Sequence, residues 1–188
     1  MYARKLAGRE FTFDFGAGLV KDNLLLVDRE TDSVWSQLAN QAITGEMTGT
    51  DLQPVVSMQT TWKFWRQRHP DTRVMVQHDQ LEGRPYFYHD FVPGARRGER
   101  PHEHDTATLG LGFANAAGAV YFPFAELAQS ELPVHRSVGG REIRVHYDAE
   151  GLTAWVTRPN GDRLSTVLVY AGSWRQFFPD SEFYQASK

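Results

Sequence analysis

The sequence contains no cysteine among its 188 residues. Thiolate metal sites, cysteine nucleophiles and disulfides are therefore excluded, while the redox compartment is left open. The sequence also lacks an excess of charge of one sign, because 20 basic residues oppose 23 acidic ones and give a net charge of −3. This balance does not favour nucleic acid or an anionic membrane surface as a partner.

Long hydrophobic runs are missing as well. Apolar stretches such as Leu24 to Val27 have the length of a strand rather than that of a bilayer span. The residues from Met1 to Lys5 lead directly into a strand pattern, so we expect no signal peptide and no membrane span in this chain. Gly16 and Gly18 lack the third glycine of a dinucleotide-binding loop, so no nucleotide cofactor is expected.

Aromatic residues and alternating patterns are abundant. The sequence is 41% hydrophobic and 13% aromatic, which is typical of a folded globular protein. Period-two alternation and short apolar runs between turn residues predict many strands. The predicted strands are 10–15, 23–27, 34–38, 53–58, 73–77, 108–113, 119–122, 133–138, 142–147, 152–157 and 163–170.

The second and third of these strands should pair as a hairpin. The polar run from Asp28 to Asp32 separates them, and its aspartates can accept hydrogen bonds from the backbone of their own turn. Helices are few. Thr60 or Thr61 can cap a short helix that ends before Pro70, Ser173 can cap a matching one that ends before Pro179, and Pro123 can open a third.

One short sequence motif occurs twice in the chain. Trp65-Arg66-Gln67 is followed by Pro70-Asp71, and Trp174-Arg175-Gln176 is followed at the same offset by Pro179-Asp180. Fixed self-similarity of this kind indicates a divergent internal duplication, in which the two tryptophans are matched core anchors. We predict a first unit at 1–79 with an insertion at 16–59, a linker at 80–105 and a second unit at 106–188.

These patterns define the expected fold class. Period-two segments and tight-turn dipeptides such as Gly139-Gly140 and Asn160-Gly161 greatly outnumber the helical patterns. The sequence therefore predicts a β-rich α+β fold of two related units, with mainly antiparallel strands and short helices packed across them.

A longer motif resembles a known bacterial family. D-R-E-T-x-S-x-W-S-Q begins at Asp28, and T-W-x-x-W-R-x-x-H-P-D-T begins at Thr61. With the L-G-L-G run from Leu109, these motifs resemble the domain-of-unknown-function family 3179 over nearly the whole chain. The resemblance implies the cell envelope or secretion, but no biochemical activity. Family members usually begin with an export segment and a strand resembling Y-C-P-x-C, which we expect this chain to lack.

Histidines and carboxylates cluster in the linker. His102 and His104 are two residues apart, so their imidazoles lie on one side of an extended segment, and His89 or Asp105 can complete a site open to water. The sequence thus predicts a ligand- or metal-binding module in which a divalent metal, Zn or Cu, supports any activity. A hydrophilic loop whose histidines face water remains the alternative.

The insertion of the first unit suggests a second interpretation. Asn23, Trp35 and Gln37 can line a pocket for a small molecule or glycan, and Ser36 is the candidate nucleophile of a metal-independent hydrolase that acts on an ester or glycan, with Asp28 and Gln37 as further catalytic candidates. Ser36 lies in no G-x-S-x-G elbow, and Asp28 equally suits a structural turn.

The first predicted strand also has a consequence for assembly. Phe11, Phe13 and Phe15 alternate along it, and the expected loss of a preceding strand would leave its edge open. An open edge with apolar side chains favours pairing between copies, so we predict a homo-oligomer built through the first unit.

Overall fold

The structure of the protein is a computed structural model that describes residues 1–6, 8–21, 23–74 and 108–187, with the side chain of Ala17 also left out. Strands dominate it and the helices are short, which confirms the β-rich fold class. Three sheets have four strands each, and a small two-stranded sheet pairs β1 (Lys5–Leu6) with β2 (Arg9–Glu10).

The first sheet is formed by a meander near the N-terminus. It has the order β3-β4-β5-β6, and every neighbouring pair is antiparallel. The strands are β3 (Phe13–Val20), β4 (Asn23–Asp28), β5 (Val34–Ser36) and β6 (Gln41–Thr44). The predicted hairpin is confirmed, because Leu26 lies opposite Trp35 in the β4-β5 pair.

The second sheet begins after residue 107. Its order is β13-β7-β8-β14, and only the β14-β8 pair is parallel among its described strands. Tyr121 and Trp174 lie against two of its glycines. A Cβ on Gly110 would lie 2.6 Å from Cζ of Tyr121, and one on Gly112 would overlap the ring of Trp174. The strands are β7 (Leu109–Asn115), β8 (Gly118–Pro123), β13 (Val167–Tyr170) and β14 (Glu182–Phe183).

The third sheet packs face to face with the second. Its order is β12-β11-β10-β9, and all its described pairs are antiparallel. Leu111 and Phe122 of the second sheet share a buried cluster with Ile143, Val145 and Val156 of the third. The strands are β9 (Val134–Val138), β10 (Arg141–Asp148), β11 (Thr153–Thr157) and β12 (Arg163–Leu164).

Three helices complete the described fold, namely α1 (Trp62–Arg68), α2 (Phe124–Leu127) and α3 (Ala171–Phe177). Thr61 caps α1, since its Oγ1 accepts a hydrogen bond from the amide of Phe64 at 3.3 Å. The prediction of Ser173 as a cap is wrong, because α3 continues directly from β13 and already includes Ser173. None of the helices in the described part of the chain has the length and apolar character that a bilayer span needs.

The strand boundaries near the N-terminus differ from the prediction. The predicted strand at 10–15 is interrupted, because residues 11 and 12 lie between β2 and β3. Phe11 is fully buried in the core of the first sheet, while Phe15 is 80% exposed on the edge strand β3. The predicted strand at 53–58 forms only an isolated bridge at Pro54, which cannot donate to a ladder. The predicted strand at 73–77 contains no strand in its described residues 73 and 74.

The repeated motif folds the same way at both sites. The indole Nε1 of Trp65 donates to Thr72 at 2.8 Å, and that of Trp174 donates to Ser181 at 2.9 Å. Each indole also lies 4.1 Å from the ring four residues later. The prediction of matched core anchors is confirmed for Trp174, which is buried in a core cluster, and is wrong for Trp65, which is only half-buried. The likeness is local to the motif, and the duplication of whole units with the boundaries given above stays a prediction.

Candidate functional site

The turn that connects β4 to β5 is built around a buried carboxylate. Asp28 is fully buried, and its Oδ1 accepts from the amide and the hydroxyl of Thr31 at 2.6 and 2.8 Å. Its Oδ2 accepts from the indole Nε1 of Trp35 at 2.7 Å. Trp35 is itself fully buried and packs edge-on against Phe11 and Phe13. Asp28 thus has the role of a structural turn residue, and Trp35 lies in the core of the first sheet.

Ser36, the candidate nucleophile, is placed at the end of β5. It is 1% exposed, and its hydroxyl accepts a hydrogen bond from the amide of Ala39 at 3.2 Å. That bond holds the turn after β5 together. Among the described residues, no histidine forms a hydrogen bond with Ser36.

A cavity of about 370 Å³ lies between the first sheet and the corner where β13 leads into α3. Asn23 and Gln37, two of the predicted pocket residues, line it, whereas Trp35 does not. Polar side chains from both sides of the cavity join them, and these are Tyr2, Asn40, Ser165 and Thr166. No Asp, Glu, Lys, Arg or His side chain of the described chain lines the cavity.

Each of the three carboxamide side chains in the cavity is anchored to the backbone through one of its two polar atoms. Gln37 donates its Nε2 to the carbonyl of Leu24 at 3.0 Å, and Asn40 donates its Nδ2 to the carbonyl of Leu52 at 3.0 Å. Asn23 accepts at its Oδ1 from the amide of Leu38 at 3.3 Å. The opposite polar atom of each amide forms no hydrogen bond within the part of the chain that the structure describes. Those atoms are Gln37 Oε1, Asn40 Oδ1 and Asn23 Nδ2.

The opposite wall is fixed by the second copy of the repeated motif. Trp174 is 1% exposed, because Phe178 stacks on its ring and Gly112 approaches it closely. Only its border reaches the cavity. A hydrogen bond joins the turn between β3 and β4 to α3, since Lys21 donates from its Nζ to the carbonyl of Gln176 at 2.7 Å. The cavity therefore has one aromatic wall, which includes Trp174 and Phe178, and one polar wall.

Tyr2 connects the N-terminal segment to this polar wall. Its hydroxyl donates to the carbonyl of Gln37 at 2.6 Å, and burial raises the pKa of that hydroxyl. Tyr2 also bridges to Pro54, so it orders the two segments that border the cavity. The phenol acts as a neutral hydrogen-bond donor at neutral pH.

Sequence reasoning missed Asn40, Ser165 and Thr166 as cavity residues. Ser165 and Thr166 interrupt the predicted strand at 163–170, which is broken between β12 and β13. Two small polar residues inside an otherwise regular strand pattern were the available signal. Their meeting with Gln37 depends on the docking of two sheets far apart in sequence, which no local pattern encodes.

The predicted metal ligands His89, His102, His104 and Asp105 lie outside the described residues, as does the whole predicted linker at 80–105. Within the described ranges, no group of three or more His, Asp or Glu side chains is arranged to hold a metal ion. The metal site stays a prediction.

Comparison with known proteins gives one match. A family model described as "Protein of unknown function (DUF3179)" matches residues 1–183, which is nearly the whole chain. No curated protein and no solved structure matches the chain.

Proposed function

The chain belongs to the DUF3179 family, whose description assigns no activity, and on that premise we propose that it is a ligand-binding module for an uncharged, hydroxyl-bearing small molecule such as a glycan fragment. The observation that carries the proposal is the cavity lined by Asn23, Gln37 and Asn40, to which the described chain contributes no charged side chain. Its volume of about 370 Å³ falls in the range of small-molecule sites.

The chemistry of the polar wall favours hydroxyl groups. A sugar hydroxyl both donates and accepts, and a carboxamide offers both kinds of partner. Because one end of each amide is anchored to the backbone, the other end is presented in a fixed orientation at little entropic cost. No side chain among the described lining residues would give a charged ligand a counter-charge, and the desolvation of such a ligand would be unfavourable.

Isothermal titration with a panel of neutral mono- and disaccharides tests this proposal. Gln37→Leu removes the polar atoms and keeps the approximate volume, so we expect binding at least tenfold weaker than in the unsubstituted protein. Gln129→Leu is the matched control, because Gln129 also donates its Nε2 to a backbone carbonyl, at 2.9 Å, but lies on the turn after α2 away from the cavity. Equal affinities for both variants would contradict the proposal.

The sequence supports a second proposal, in which a divalent metal held by His102 and His104, with His89 or Asp105, gives the module an activity. Elemental analysis of protein purified without a histidine tag tests it. We expect bound Zn or Cu in the unsubstituted protein and less in His102→Ala and His104→Ala. Protein that contains no metal and gains no thermal stability from added Zn or Cu would leave the binding module alone.

Hydrolysis with Ser36 as nucleophile is the remaining proposal, and the burial of this side chain disfavours it. A nucleophile must reach its substrate, whereas Ser36 is 1% exposed. Chromogenic esters and glycosides, tested on the unsubstituted protein and on Ser36→Ala, decide the question. Turnover that is lost in Ser36→Ala would support the hydrolase, and turnover that survives would exclude this serine.

A further inference from the structure

The first copy of the repeated motif also borders a cavity. This second cavity has a volume of about 790 Å³ and lies between α1 and the face of the third sheet that points away from the second sheet. Ala154 and Val156 alternate into the buried cluster, so Trp155 between them faces the cavity side. The lining includes Phe64, Trp65, Arg68, His69, Trp155 and Arg163.

The two copies of the motif differ in charge at equivalent positions. In α3 the residues that follow the shared Trp-Arg-Gln are Phe177 and Phe178, and in α1 they are Arg68 and His69. The ring of His69 lies 4.1 Å from that of Trp65, as Phe178 does from Trp174. The same motif thus borders a cavity without charged side chains among the described residues at one site and a cavity lined by two arginines at the other.

The guanidinium groups of this cavity are held against aromatic faces. Arg68 lies over the ring of Phe64 at 3.4 Å, and Arg163 lies over that of Trp155 at 5.2 Å. Stacking restricts each side chain but uses no N–H donor itself. Arg68 also donates from its Nη1 to the carbonyl of Phe64 at 3.5 Å, which leaves its other N–H groups to bind an anion.

Two carboxylates lie near the guanidinium of Arg68, and each has another partner. Glu150 pairs with Lys63 at 2.8 Å, and Lys63 together with Arg68 lowers the pKa of its carboxyl. Asp148 approaches Arg68 at 3.9 Å, a distance at the limit of an ion pair, and its Oδ1 accepts from the amide of Gly151 at 2.7 Å. No Asp or Glu of the described chain lines the cavity itself. His146 lies opposite Trp155 on the neighbouring strand and stacks on its ring at 5.1 Å. Burial together with Arg144, Arg163 and His135 lowers the pKa of His146, as expected in a positive field.

We propose that this second cavity binds a small carboxylate that carries a ring, with the carboxylate on Arg163 and Arg68 and the ring beside Trp65 and Trp155. Planar guanidinium groups match a carboxylate through paired N–H donors. His69 covers a face of Trp65, and His146 and Arg163 lie over Trp155, so the edges of the indoles are the parts that contact the face of a ligand ring. The inference does not depend on the proposed function, because it uses different side chains and an anionic ligand instead of an uncharged one.

Titrations with glucuronate and with benzoate separate the two sources of this chemistry, a uronic acid and an aromatic acid. Glucose and benzamide are their neutral counterparts. We expect at least one acid to bind with an affinity that falls as salt rises, and its neutral counterpart to bind at least tenfold more weakly. The quenching of tryptophan fluorescence and the heat of binding are two independent readouts.

Arg163→Gln is the principal variant, and Arg68→Gln is the second. Both side chains are largely exposed, so both variants should fold, which circular dichroism checks. Arg158→Gln is the matched control, because Arg158 is an exposed arginine at the end of the same strand-turn region and lines neither cavity. We expect each of the first two variants to weaken binding of the acid at least fivefold and the control to leave it unchanged.

Three results would overturn the proposal. They are the absence of binding by both acids at millimolar concentration, equal binding of an acid and its neutral counterpart, and an affinity that is unchanged in both Arg163→Gln and Arg68→Gln.

Discussion

Removing the carboxylate of Asp28 is the perturbation with the largest expected effect on stability. Asp28→Ala deletes the acceptor of three hydrogen bonds, from the amide and hydroxyl of Thr31 and from the indole of Trp35. Trp35 is fully buried, so water cannot replace the lost acceptor, whereas Thr31 is half-buried and recovers part of its loss.

The magnitude follows from the value of each bond. A hydrogen bond to a charged group contributes about 1.5–3 kcal/mol, and bonds that share one acceptor group are not additive. We therefore expect Asp28→Ala to lower the free energy of unfolding by about 3–5 kcal/mol. That is a large part of the total for a domain, about 5–15 kcal/mol. Asp28→Asn keeps one acceptor and should cost less.

Urea denaturation followed by tryptophan fluorescence and circular dichroism measures this loss. Asp51→Ala is the control, because Asp51 is an exposed aspartate beside the first sheet. Its removal should change the free energy of unfolding by no more than about 0.5 kcal/mol. A double-mutant cycle of Asp28→Asn and Trp35→Phe isolates the bond between them. A loss below about 1 kcal/mol for Asp28→Ala would refute the structural role assigned to this carboxylate.

Three further predictions concern other parts of the molecule. Thr153 Oγ1 is buried and has no hydrogen-bond partner among the described residues, so Thr153→Val should raise the free energy of unfolding by about 1 kcal/mol in the same urea assay, and a loss of that size would show that the hydroxyl is bonded. Because the pKa of His146 is lowered in the folded protein, the unfolded state binds more protons near pH 6.5, and stability should fall as the pH is lowered through that value. Melting temperatures against pH should therefore show a smaller acid-side decrease in His146→Gln, and an identical decrease would contradict this reasoning. The edge strand β3 exposes Phe15 by 80% and Leu19 by 63%, so sedimentation should detect a homo-oligomer that Phe15→Lys dissociates, and a monomeric unsubstituted protein would contradict pairing through this edge.

Local patterns were sufficient to predict some elements of the fold. The alternation on either side of Asp28 predicted the β4-β5 hairpin and its self-bonded turn, because both depend on neighbours in sequence. Thr60 or Thr61 at its start and Pro70 at its end likewise delimited α1, and the structure shows that Thr61 is the cap. The strand that begins at Phe13 was placed too early, since Arg9 and Glu10 pair with β1 instead and the amide of Phe11 donates to Arg4 beside that pair. This pairing leaves no glycine or proline signal between Glu10 and Phe13.

The candidate site shows a similar division. Asn23 and Gln37 were predicted from their place beside an aromatic hairpin, and both line the cavity. Trp35 was assigned to the same pocket because the exposed and buried sides of a short strand cannot be told apart without its partners. Register decides that question, since neighbouring residues of a strand point to opposite faces. The opposite wall at Thr166 comes from a sheet whose docking involves contacts distant in sequence.

A crystal structure of the protein with the neutral saccharide that binds most tightly shows directly where the ligand lies. We expect it in the cavity between the first sheet and α3, with its hydroxyl groups within hydrogen-bond distance of the amides of Gln37 and Asn40. A saccharide bound at another site, with this cavity holding only water, would refute the proposed binding function.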